Sequence, residues 1–151
     1  MTFFNELYYN QAFWVAILSW FIAQLIKVVT VLVTEKRFDF SRFVGSGGMP
    51  SSHSSFVTSL AVMIGLENGF DSEGFAICFV LALVVMYDAS GVRRAAGKQA
   101  SILNQIIEHW DEGAKIQGER LKELIGHTPF EVFAGAALGI AIAIIMYMFV
   151  Y

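Results

Sequence analysis

The stretch Gly45-Ser46-Gly47-Gly48-Met49-Pro50-Ser51-Ser52-His53 runs straight into an apolar segment, Ser54 to Leu66. A turn of small residues therefore feeds a helix that belongs in lipid. Glycines let backbone N–H groups approach a ligand closely. A helix N-terminus offers unpaired donors and the positive end of the helix dipole, which suits an anion such as phosphate. Pro50 fits the first turn, where no N–H is needed. Ser51 and Ser52 add hydroxyls, and His53 titrates near neutral pH. Together these residues read as an anion pocket at a membrane surface.

The 151 residues suffice for one domain, 1–151. They are 56% hydrophobic, above the roughly 45–50% of a soluble domain, and the mean hydropathy is +0.60. The class is an integral membrane protein. Its single cysteine, Cys78, lies in an apolar run and allows no intrachain disulfide. The N-terminus, Met1 to Glu6, lacks the positive region of a signal peptide, so the first apolar segment is expected to stay. No nucleic-acid partner is expected.

Four spans are expected, at about 11–33, 50–67, 75–92 and 129–151, each near the ~20 residues that cross a bilayer core. Trp14 in the first span is placed to mark an interface. Gln24 and Lys27 interrupt that span at i, i+3 spacing. A lysine there is costly in lipid; it either snorkels to the surface or faces the pocket and pairs with an anion. Glu35 to Ser46 is a charged turn with Lys36, Arg37, Asp39 and Arg42. The third span stays apolar until Asp88 and ends in Gly91-Val92-Arg93-Arg94.

From about 95 to 125 the chain is more polar but keeps a helical period. Ile102, Leu103, Ile106, Ile107 and Trp110 form one stripe; Leu121, Leu124 and Ile125 form another, after a break near Gly113 or Gly118. These are expected to be amphipathic helices on the interface or over the bundle, with His109 an ordinary surface residue. In the last span Gly135, Gly139 and Ala143 recur every four residues, a spacing that lets helices approach closely. The seam is either internal or that of a homo-oligomer.

With four spans, both termini share one side with the Glu67–Gly74 loop, and that side has no lysine or arginine. The positive-inside rule then places the glycine-rich turn in the cytoplasm of a multi-pass plasma-membrane protein. On that same face the topology gathers Lys27, Ser51, Ser52, His53, Asp88, Arg93, Arg94, His127 and Glu131. Arginines hold phosphate by paired, charge-assisted hydrogen bonds. One histidine can attack phosphorus, the other can protonate the departing oxygen, and a carboxylate can fix the nucleophile's tautomer.

Pro50-Ser51-Ser52-His53 resembles the Pro-Ser-Gly-His motif of the type 2 phosphatidic acid phosphatases (PAP2), relatives of acid phosphatases and vanadium haloperoxidases. His127-x-x-x-Glu131 resembles that family's last motif, a nucleophilic histidine followed four residues later by aspartate. Together with Asp88-Ala89-Ser90-Gly91-Val92-Arg93-Arg94, these segments are similar to the small bacterial membrane proteins of the divergent type 2 phosphatase family. The resemblance covers nearly the whole chain. It implies a reduced PAP2-like core, with His127 as nucleophile, His53 as general acid, Glu131 as orienter, and neither metal nor cofactor. The chain departs from the larger family at several points. Lys27 has Thr34, not Arg-Pro, seven residues on; Ser52 replaces glycine; and Leu121 stands where an arginine precedes the histidine, with Arg120 one step off.

Thr128-Pro129-Phe130-Glu131 is also a capping box with proline at the first helical position, and Asp88 suits a buried ion pair with Arg93 or Arg94 as well as a catalytic role. The expected fold is all-α, a four-span bundle with interfacial helices. The expected function is hydrolysis of a lipid phosphate or pyrophosphate through a phosphohistidine. The alternative is a phosphate- or phospholipid-binding transporter, flippase or sensor.

Overall fold

In the computed structural model, the structure describes residues 3–35, 48–110, 121 and 126–150. Expectations placed on Lys36, Arg37, Asp39, Arg42, Gly45 to Gly47, Gly113, Gly118, Arg120, Leu124, Ile125 and Tyr151 lie outside them, as do the side chains of His109 and Trp110. Six helices follow in order: α1 (Phe3–Tyr9), α2 (Gln11–Glu35), α3 (Ser52–Asn68), α4 (Glu73–Ser90), α5 (Val92–Trp110) and α6 (Pro129–Val150). The fold is an all-α membrane bundle.

Among the described residues, three stretches are long and apolar enough to cross a membrane: Gln11–Val33, the run beginning at Glu73 and continuing to Ile107, and Pro129–Phe149. The helix expected over 50–67 is present as α3 but is not one of the three. At 17 residues it is short for a crossing, and its first half is polar. Ser52, Ser54, Ser55, Thr58 and Ser59 fill its first half, and all are buried. Packed on by α2, α4 and α6, α3 occupies the centre of the bundle, where hydroxyls find carbonyl partners and apolarity is not required.

The bundle is organised inside out relative to a soluble protein. The inward positions of α2 are Ala12, Val15, Ala16, Ser19, Ala23, Gln24, Lys27 and Val28, a 3.6-residue stripe of mostly small or polar side chains. Outward positions carry Phe21, Leu25, Val29, Leu32 and Val33, which suit lipid tails. α4 buries only Ala82 and Ala89 among its described side chains and turns Ile77, Val80 and Val84 outward.

Small residues permit close approach, and hydroxyls then bridge the gap. The Ser19 and Ser55 hydroxyls lie 2.6 Å apart, and Ser19 Oγ also reaches the Ser55 carbonyl at 3.1 Å, joining α2 to α3. Thr58 Oγ1 donates to the Ser54 carbonyl at 2.6 Å and lies 3.3 Å from the Ala136 carbonyl of α6. Gly139 packs on Thr58 Oγ1 and the Ser55 carbonyl, and Gly135 on the Ser51 carbonyl. The small-residue seam of α6 is thus filled from within the same chain, by α3. The two helices run parallel, with their N-termini side by side.

α4 ends at Gly91, whose N–H bonds the Tyr87 carbonyl at 2.8 Å, and α5 departs from there. α5 buries Gly97, Ala100 and Asn104 along one face and leaves Ile102, Leu103, Ile106 and Ile107 exposed. That exposed stripe makes α5 amphipathic, with its apolar side turned away from the rest of the bundle. Asn104 holds the backbone of Leu121 from both sides: its amide donates to the carbonyl at 2.8 Å and its oxygen accepts the N–H at 3.1 Å.

Candidate active site

Ser51 opens α3 as its N-cap, so the helix begins at Ser52, two residues beyond Pro50, which precedes the cap instead of sitting in the first turn. The Ser51 hydroxyl accepts from Ser54 N–H at 3.4 Å and from the Ser54 hydroxyl at 3.0 Å. Its own N–H donates to the Glu131 carbonyl in the first turn of α6 at 3.0 Å. Ser51 is therefore a joint between the two helix starts. Ser52, also buried, accepts a hydrogen bond from Lys27 Nζ at 3.1 Å.

Lys27 is 3% exposed. Of its two possible placements, it takes the inward one: its ammonium turns to the start of α3, not to the membrane surface. α2 continues eight residues beyond it, to Glu35.

His127 is fixed from three directions. Its N–H donates to the Ala89 carbonyl in the last turn of α4 at 2.9 Å. Before it, Gly126 adopts φ +101° and lies flat against the backbone of Arg93 and Arg94, where any side chain would clash. On its ring, Nδ1 lies 3.2 Å from Glu131 Oε2. A carboxylate accepts, so Nδ1 carries the proton and Nε2 keeps its lone pair. That Nε2 is shielded from solvent and has no hydrogen-bond partner among the described residues.

Glu131 does two things at once. The same Oε2 accepts the Thr128 N–H at 2.9 Å, while Thr128 Oγ1 accepts the Glu131 N–H at 3.3 Å. The capping box and the imidazole contact are one arrangement, not competitors.

The rings of His53 and His127 lie edge to face with centroids 6.3 Å apart. Two residues 74 positions apart thus share one hollow. Burial holds the His127 imidazole below the usual histidine value; Lys27 adds to this, Glu131 opposes it through its hydrogen bond and charge, and Arg93 lowers it further. At neutral pH the ring is therefore uncharged.

Asp88 and Arg93 form an ion pair on the rim, Nε to Oδ2 at 2.6 Å, both about half-exposed. Arg94 is exposed and contributes its backbone to the Gly126 contact. Lys27, Ser51, Ser52, His53, His127, Glu131, Asp88 and Arg93 are thus brought together, and the Arg94 side chain stays outside. Among the described residues no three His, Cys, Asp or Glu side chains converge to hold a metal ion. Sequence reasoning did not find the Ala89 carbonyl or the Ser51–Glu131 bond. Both are backbone contacts, and the glycine at 126 was their only signal.

The sequence profile of the Divergent PAP2 family matches residues 8–142. The chain belongs to the divergent PAP2 family. An uncharacterized membrane protein, YuiD, of Bacillus subtilis (strain 168) is 38% identical over 138 residues, covering 84% of this chain and 87% of that protein. No solved structure matches. The match to the divergent PAP2 family spans the elements that carry the site, from α2 through most of α6.

Proposed function

We propose that this membrane protein hydrolyses a phosphomonoester or pyrophosphate carried on a lipid, through a phosphohistidine on His127. His127 Nε2 attacks phosphorus, and the bond to the leaving oxygen breaks as that oxygen takes a proton from His53. Water then attacks the N–P bond, gives a proton to His53, and frees phosphate and Nε2. Lys27, Ser52 and Arg93 hold the phosphoryl oxygens; Ser51 keeps α3 seated on α6; and Asp88 positions Arg93. The lipid bilayer supplies the substrate, and the site face is cytoplasmic.

One observation carries this reading. A buried Nε2, with no partner among the described residues and its tautomer set by a carboxylate, belongs to a ring that lies beside a second imidazole and feels a buried ammonium. The ion pair that occupies Arg93 favours a second reading, in which phosphate is bound without turnover. Phosphate release from a panel of lipid phosphates separates the two, using wild type and His127→Ala. Loss of release in the variant is expected. Undiminished release refutes the nucleophile, and binding of phosphate with no release by wild type favours the second reading.

A further inference from the structure

A cleft of about 730 Å³ opens at the far end of the bundle, where the α1–α2 corner meets the end of α3. Its walls include Glu6, Tyr9, Gln11, Phe13, Ile64 and Glu67. His53 and Glu67 are fourteen residues apart on one helix, roughly 21 Å at 1.5 Å per residue, so the cleft is separate from the histidine hollow.

Its chemistry is one-sided. Among the described residues no lysine, arginine or histidine lines it, and the chain has no lysine or arginine in residues 1–26, 54–92 or 128–151. No ion pair or hydrogen bond engages the Glu6 or Glu67 carboxylates among the described residues. The Gln11 amide oxygen is shielded from solvent and also has no partner there. Two carboxylates thus gather without a cation among the described residues, beside the Tyr9 and Phe13 faces that attract cations, the neutral amides of Asn10 and Asn68, and the apolar Leu60 and Ile64. On α1 and the start of α2, Phe3, Phe4, Tyr8 and Trp14 are exposed, a composition that suits a membrane interface.

We propose that this cleft binds an ammonium group, the amine headgroup of a zwitterionic lipid, with Glu6, Glu67 and Gln11 accepting its protons and Leu60 and Ile64 receiving its alkyl arm. A soluble amine presents the same ammonium chemistry, and the test separates the two sources. The proposal stands independently of phosphatase activity.

The test is calorimetric titration of the purified full chain, in a detergent without amines, with dihexanoyl-phosphatidylethanolamine, dihexanoyl-phosphatidylglycerol, free ethanolamine and magnesium chloride. The ethanolamine lipid should saturate a site and the glycerol lipid should not. Glu67→Gln should weaken binding about tenfold or more, the effect of losing a charged hydrogen-bond partner. Glu73→Gln, on the same end but outside the cleft, should leave it unchanged. Glu6→Gln, on the exposed α1, is the second variant should Glu67→Gln fail to fold. Free ethanolamine binding as tightly as the lipid supports the site and makes its source soluble. Equal binding of both lipids, no effect of either cleft variant, or saturation by magnesium but not by amine would overturn it.

Discussion

Gly135→Ala is the sharpest test of how the site is held. On a free helix face this exchange stabilises by about 1 kcal/mol, because glycine gives up more backbone freedom. Here the new Cβ would overlap the Ser51 carbonyl oxygen and lie 3.0 Å from its carbon and 3.1 Å from Ser51 Cβ. Those carbon contacts are about half an ångström inside the ~3.5 Å minimum. Relief requires α6 to move off α3, an overpacking cost of about 1–3 kcal/mol. The sign should therefore reverse, to a net loss of up to about 2 kcal/mol. Gly74→Ala is the internal control, since its Cβ would meet only Ile64 Cγ2, at an ordinary 3.4 Å. The assay is unfolding of both variants in one detergent. Because Ser51 and Glu131 share the displaced joint, turnover by the proposed chemistry should also fall, about a hundredfold for a shift near 1 Å. A Gly135→Ala protein as stable as Gly74→Ala would refute the packing.

The other predictions concern charge and anchoring. His127 is held below 6.5 in the fold, so the unfolded chain binds its proton more readily. The stability it contributes is full above the unfolded value and is lost as pH falls through the folded one. Lys27→Met removes a cation that lowers His127, so the acid limb of phosphate release should move to higher pH; an unmoved limb would count against His127 as the titrating group. Asn104→Ala deletes both bonds to Leu121 and should cost about 1–3 kcal/mol, read as a lowered unfolding midpoint; no shift would show that the clamp is dispensable.

Much of this was legible in the sequence, for physical reasons. A polar group in an apolar run announces itself, so Lys27, His53 and His127 stood out, and counting spans placed them on one face. Whether Lys27 turned inward was not legible, because rotation about the α2 axis is set by partners elsewhere in the chain. The serines from 52 to 59 marked α3 as unusual without revealing it as the central helix. Ser55 meets Ser19 of α2 and Thr58 lies against the Ala136 carbonyl of α6, and helix spacing alone does not encode those pairings. Gly135 and Gly139 signalled close approach, but only coordinates assign that approach to α3. The Asn104–Leu121 clamp joins residues 17 apart through a backbone that any residue would present, so no pattern could show it.

Lys27 and the start of α3 lie eight residues short of the end of α2, a depth of roughly 12 Å at the helical rise. A phosphate drawn to that level leaves most of its hydration behind. In so dry a place each remaining donor counts for more than it would at the headgroup plane, because the attraction between opposite charges grows as the surroundings become less polarisable. In the proposed chemistry, a well of that depth needs few cations, so that one ammonium at its floor, with Arg93 at the rim, does the work that a shallow, wet site would spread over several arginines.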